Sequence, residues 1–388
     1  MLCDDTAMRI HRGGSGKVQT GAAEGTGEQS GSTPLLPNGV LAPMLTPFAD
    51  DLTVSANRFV AHAHWLLGSG CVGLVPFGTT GEALSVATRE REAALEALVA
   101  GGIDPGVLLP GTGVSNLPGA VHLTRHAVRL GCRAVMGLPP CYYKAPAPEG
   151  LFRHYAELVE RVADDRLRIV LYHIPQVSGV GLPIDLVARL RLEFPDTVVG
   201  IKDSSGDWSN TQRLFGIDGL TVYPGAELQL IDALDLGGPG CITATANVNA
   251  GPVAEVIRLH TAGDREAAVS AHEGVVAYRL LLQDYAAIPS LKRLLAQWHD
   301  DPVWANVRPP FLPMDEGDGR SLSELLAASV SIAPGTSETT LYVFKESAFG
   351  SLRLSNPGGF EASAGDRTAS YVMETPHAVI WRLVDPVP

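Results

Sequence analysis

Lys202 closes an apolar run, TVVGIK over 197–202, and its position there calls for an explanation. Val198, Val199 and Ile201 suit a strand covered on both faces, where a charged group would have to be desolvated. Tyr172 stands in the same situation, near the end of RIVLYHI over 168–174. A third run, VGLVPFG over 72–78, leads into GTTGE, whose Gly78 and Gly81 let backbone N–H groups approach a ligand while Thr79 and Thr80 add hydroxyls. An amine held where water is scarce is a nucleophile for carbonyl carbon, a phenol moves protons, and such a turn suits a small carboxylate. Taken together, these residue types point to a Schiff base between Lys202 and a 2-oxo acid, with Tyr172 shuttling protons and GTTGE holding the carboxylate. The structural alternative is a strand-end lysine engaged in a salt bridge.

These residues share a chemistry only if the fold brings their strand ends together. From Gly39 onward, apolar runs at 40–45, 72–78, 106–111, 133–139, 168–174, 197–202, 220–225 and 240–246 alternate with segments of helical period. Those segments include ANRFVAHAHWLL, REREAALEALVA, AVHLTRHAVRL, LFRHYAELVERV and DLVARLRLEF. Eight strand–helix units predict an α/β fold, a parallel (β/α)₈ TIM barrel, in which active-site groups project from the C-terminal strand ends. Lys202, Tyr172 and GTTGE all fall at such ends.

The domain reading that follows is a disordered leader over 1–35, the barrel over 36–250, a C-terminal helical extension over 251–332 and a tail of uncertain structure over 333–388. The leader is rich in Gly, Ser, Thr and Glu and cannot repay the entropy of ordering. Its GGSGK is not a phosphate loop, since His11 and Val18 occupy positions where that loop needs Gly and Ser or Thr. In the tail, LYVF, SYVM and HAVIWRLV are separated by turn-forming residues and leave open a small β unit, a poorly ordered appendage or sequence without function.

A net charge of −13 over 388 residues argues against a nucleic-acid or anionic-membrane surface, because either wants a clustered basic face. The five cysteines form no C-x-x-C pair, so neither a disulfide framework nor a zinc site is expected. His62 and His64 are two apart on a helix and cannot face one ligand, and no metal or cofactor is expected. No apolar stretch is long enough to span a bilayer, and the first residues lack the apolar core of a secretory signal, which predicts a cytoplasmic protein. Asp203 and Asp207 are read as caps of the following helix, and VRPPFLPM near Arg308 as the seat of the C-terminal helices.

With GTTGE, YYKAP, YHIP, GIKDSSGD and ITATAN in this order, the chain from about Pro37 to Val330 resembles the dihydrodipicolinate synthase and N-acetylneuraminate lyase superfamily of class I aldolases. The resemblance implies a (β/α)₈ barrel with a helical C-terminal extension, a pyruvate Schiff base without a cofactor, and a homo-oligomer, dimer or tetramer. It makes Lys202 the Schiff-base lysine, Tyr172 the catalytic tyrosine, and Thr79 with Thr80 the carboxylate-binding pair. Tyr143 would extend a proton relay with Thr80, and Tyr142 would reach toward a neighbouring subunit. Gly225 and Ile242 match positions whose backbone lines the pocket.

Two departures bear on the substrate. Where dihydrodipicolinate synthases carry an arginine for the carboxylate of aspartate semialdehyde, this chain has Val177, in PQVSGVG. Where sialic-acid lyases bring two acidic residues and a serine to the sugar hydroxyls, it offers Glu227 alone and has Ala244. The expected substrate is therefore pyruvate with a shorter hydroxylated 2-oxo acid of the 2-keto-3-deoxy sugar type. A 4-hydroxy-tetrahydrodipicolinate synthase or dehydratase using the same lysine, and a non-catalytic 2-oxo acid binder, are the alternatives.

Overall fold

Strands covered on both faces need apolar side chains in both directions, and the short β-branched runs of this chain meet that need. The computed structural model describes residues 35–330, 339–344, 368–374 and 378–384. The expectation for the leader therefore lies, Leu35 apart, outside the described residues. Seven parallel strands follow in order: β1 (Gly39–Ala42), β2 (Cys71–Leu74), β3 (Val135–Gly137), β4 (Ile169–His173), β5 (Val198–Asp203), β6 (Thr221–Pro224) and β7 (Gly240–Ile242). One sheet runs β2-β1-β7 and another β3-β4-β5-β6.

The eighth stave is the segment 108–111, which joins the two sheets through parallel bridges Leu74 to Leu108 and Gly111 to Met136. It is expected as a full strand over 106–111 but forms only these bridges. Residues Pro105–Val107 wind into a 3₁₀ turn, and Pro110 has no N–H to give to a ladder. Leu109 N and Gly111 N still donate to Leu74 O and Pro76 O at 2.8 Å each. The remaining seam is closed where β6 lies against β7.

Each stave is followed by a helix: Ala56–Gly68, Thr88–Ala100, Leu117–Leu130, Pro148–Val162, Ile184–Glu193, Trp208–Phe215, Leu230–Asp235 and Ala246–Thr261. The architecture is a TIM barrel. Inward side chains, among them Leu41, Val75, Leu109, Met136, Val170, Val199 and Ile242, fill its axis, while a larger apolar layer packs strands against helices.

Three further helices, Arg265–Gln283, Ala287–Trp298 and Glu316–Val330, build a separate apolar cluster. Leu45 and Val248 from the barrel join Leu291, Leu295, Trp304 and Leu322 in it, so the helices after the barrel pack on its strand-end loops. Within 333–388 the chain forms three antiparallel strands, β8 (Thr339–Phe344), β9 (Thr368–Glu374) and β10 (Ala378–Val384), ordered β8-β10-β9. Trp381 pairs with Leu341 on one side and with Tyr371 on the other. Among the described residues no helix is long and apolar enough to cross a membrane.

Candidate active site

Parallel pairing of β4 with β5 sets Tyr172 opposite Lys202, and pairing of β5 with β6 sets Lys202 opposite Tyr223. Register partners in a parallel sheet share a face, and here that face is the barrel interior, where Tyr172 and Tyr223 belong to the axial cluster. Lys202 is 4% exposed, and its Nζ lies 4.5 Å from the centroid of the Tyr172 ring. Among the described residues no carboxylate comes within ion-pair distance of it.

Asp203 points the opposite way, as strand alternation requires. Its carboxylate accepts from Ser205 N at 2.9 Å, Asn210 Nδ2 at 2.9 Å and Thr211 Oγ1 at 2.8 Å. Asp207 caps the helix Trp208–Phe215 through Ser209 N and Asn210 N. Both aspartates thus serve the strand-to-helix turn and leave the amine unneutralised.

Tyr172 reaches the GTTGE turn, where its OH and Thr79 Oγ1 are 3.2 Å apart. The turn is closed by Gly81 N and Ala83 N donating to Gly78 O, and by Glu82 N donating to Thr79 O. A Cβ on Gly81 would stand 2.7 Å from Met44 O, so the close packing of this turn on the β1 loop needs glycine. Phe77 and Glu82, at φ of 61° and 52°, flank the turn in the left-handed region. Each such residue costs roughly 1–2 kcal/mol. Surrounding contacts hold the shape, since Glu82 is ion-paired to the buried Lys292 and accepts from Arg308 N at 3.0 Å.

In this turn Thr79 is the threonine that meets a tyrosine, Tyr172. Thr80 is nearly buried, but no described hydrogen bond joins it to Tyr143. Tyr142 and Tyr143 are 78% and 79% exposed and pack edge to face on each other, with ring centroids 5.5 Å apart. Among the described hydrogen bonds none joins Thr80 to Tyr143 in the relay expected from the sequence.

Gly225 donates to Asp203 O at 2.6 Å, and a Cβ there would lie 1.9 Å from Ser204 Oγ, so the two loops close only with glycine. Ile242 is fully buried on the axis. Glu227 does not present a free carboxylate, as a substrate-binding role would need. Thr245 and Thr243 donate to its two oxygens, and Arg279 Nη1 is 3.9 Å away.

A cavity of about 270 Å³ opens beside Tyr172 and Thr79. Of the expected residues it is lined by Gly78, Thr79 and Tyr172, with Lys202 beneath the tyrosine ring. Its outer wall adds Leu84, Val177, Ile288 and Phe311; of these the sequence marks Val177 as a site position and Phe311 only as part of the seat of the C-terminal helices. Ile288 and Phe311 come from the region following the barrel, which nothing in local pattern connects to a strand end. Among the described residues no cluster of His, Cys, Asp or Glu is assembled to hold a metal ion.

A profile of the dihydrodipicolinate synthetase family matches residues 36–329. An uncharacterized DapA-like lyase of Chloroflexus aurantiacus is 32% identical over 303 residues, covering 77% of this chain and 98% of that relative. A 4-hydroxy-tetrahydrodipicolinate synthase of Rhizobium meliloti is 34% identical over 212 residues, 54% of this chain and 70% of the relative. Among solved structures, the dihydrodipicolinate synthase of Agrobacterium tumefaciens superposes with a TM-score of 0.67 at 33% identity, over 75% of this chain and 99% of that one.

Proposed function

Because the chain belongs to the dihydrodipicolinate synthetase family, whose members are class I lyases and aldolases, we propose that Lys202 forms a Schiff base with pyruvate or a longer 2-oxo acid. The observation that carries the reading is the placing of Lys202 Nζ against the Tyr172 ring, with the Tyr172 hydroxyl on Thr79, at the C-terminal mouth of the barrel.

In this reading the amine adds to the keto carbon, water leaves, and the resulting iminium draws the electron pair released at C3 by proton loss or carbon–carbon cleavage. Tyr172 gives and takes the protons, oriented by Thr79. Among the described hydrogen bonds none uses the Thr79 or Thr80 amide as a donor, which leaves both to the substrate carboxylate.

The second substrate is less closely drawn. Val177 at the cavity wall has no fork to hold the carboxylate of aspartate semialdehyde, which argues against 4-hydroxy-tetrahydrodipicolinate synthesis. The short sugar-type acid expected from the sequence loses Glu227 as a hydroxyl partner. The exposed Tyr142–Tyr143 pair supports assembly of a homo-oligomer through this loop, and Tyr142→Ala is expected to lower the mass measured by light scattering. Cys71, Cys132, Cys141 and Cys241 are free thiols, in keeping with a cytoplasmic setting.

Borohydride reduction in the presence of pyruvate, followed by peptide mapping, tests the central step. A stable adduct on Lys202 is expected. Absence of any adduct, where a known class I aldolase is labelled in parallel, would move the protein to the class of 2-oxo acid binders.

A further inference from the structure

Resting on the Schiff-base reading, we propose that the aldehyde accepted by the pyruvate enamine is apolar and uncharged, an aryl or branched alkyl aldehyde. The wall of the cavity beyond Tyr172 is made by Leu84, Met136, Leu138, Val177, Ile288 and Phe311. Leu84 and Val177 at its rim are 75% and 60% exposed, so the apolar surface continues outward to the point where a substrate enters.

Of the polar side chains near the wall, the Ser85 hydroxyl has no described partner, and the others are largely engaged. Glu82 is the charged residue in the lining, and it is matched by Lys292 and by Arg308 N. The Arg308 guanidinium is spent on Leu52 O, Ser85 O and Glu90. Ser178 Oγ donates toward Ile174 O and Val180 O. Lys144, close to the rim, donates to Cys141 O and, at 2.9 Å, to Ser178 O.

A carboxylate or a run of hydroxyls on the second substrate would lose its water here and find the Ser85 hydroxyl but no charged donor in replacement, whereas a ring or branched alkyl group would gain from leaving water. The step balances without a further reagent. The enamine C3 electron pair forms the bond to the aldehyde carbon, and the carbonyl π pair becomes an alkoxide that takes a proton from Tyr172. Water then hydrolyses the iminium, freeing Lys202 and a 4-hydroxy-2-oxo acid.

The test separates the two halves of the reaction in the full-length protein. Exchange of the pyruvate C3 protons in heavy water, followed by NMR, and trapping on Lys202 report the first half with no aldehyde present. Initial rates with pyruvate and benzaldehyde, isobutyraldehyde, glyceraldehyde or aspartate semialdehyde then report the second. The expected result is exchange, together with kcat/KM for benzaldehyde or isobutyraldehyde at least about tenfold above the two polar aldehydes, roughly the discrimination of one well-placed apolar contact. Val177→Arg is expected to reverse the ranking toward aspartate semialdehyde. Exchange with a polar aldehyde ranked first, or with no aldehyde consumed, overturns this inference and leaves the Schiff-base reading standing. Neither exchange nor trapping overturns both.

Discussion

Tyr172 sits between two partners, its ring against the Lys202 amine and its hydroxyl on Thr79, so removing one oxygen separates its packing from its chemistry. Tyr172→Phe keeps the ring and is expected to lower kcat by about 10²- to 10⁴-fold with little change in Tm. A variant as fast as wild type would remove Tyr172 from proton transfer. Thr79→Val is expected to cost more activity than Thr80→Val, because only Thr79 reaches the phenol. Equal losses would show that the two hydroxyls act together on the carboxylate. Lys202 and Tyr172 are legible in the sequence because strand alternation and the strand-end rule are local. The order of Thr79 and Thr80 is not, since it is decided by the left-handed turns at Phe77 and Glu82, which no residue type there announces. Glu227 misleads for a related reason, because its partners Thr243 and Thr245 lie on the next strand end.

The helix Ala287–Trp298 reaches the GTTGE turn through Lys292, which is fully buried against Glu82, Asn306 O at 2.8 Å and the Phe48 ring at 4.2 Å. Burial lowers the Lys292 pKa to about 8, with Glu82 opposing the shift. Lys292→Met would leave a buried carboxylate without its cation, at a cost on the order of 3–5 kcal/mol. The double variant Glu82→Gln, Lys292→Met is expected to recover much of that loss, because no lone charge remains. Thermal melts of the two proteins check the claim, and a double variant no more stable than the single would show that Lys292 acts by packing alone. The eight strand–helix units are visible as alternating periods, and the third falls short as a strand because Pro110 interrupts its donors. That the helix Ala287–Trp298 braces a barrel loop depends on contacts more than 200 residues apart, as in the Lys292 to Glu82 ion pair, and sequence pattern carries no trace of it.

For the molecule as a whole, His62 lies where the first barrel helix, the helix Ala246–Thr261 and the C-terminal extension meet. It stacks on Trp65, meets Trp304 edge-on at 5.0 Å, and bonds Asn247 Oδ1 through Nε2 at 2.9 Å. Asn247 is oriented by its own bonds, with Nδ2 donating to Pro43 O and Ala244 O and Oδ1 accepting from Leu45 N. His62 must therefore donate from Nε2, and Nδ1 is left buried without a partner. Burial lowers its pKa from 6.5 to about 4, the Asn247 bond opposing the shift. Between those values the unfolded chain binds the proton and the folded chain does not, so stability is full above about pH 6.5 and falls as the pH drops toward 4. The loss reaches about 3 kcal/mol from this one side chain. His154 and His173, also lowered by burial, add losses of the same sign. Asp164 and Asp235, held near 2 by arginine partners, act only at lower pH. Melting temperature is accordingly expected to decline from pH 6.5 to 4.5, and His62→Gln, which keeps a donor for Asn247, to flatten that decline. If the two curves run parallel, protonated His62 is accommodated in the fold, and the histidines elsewhere carry the pH dependence.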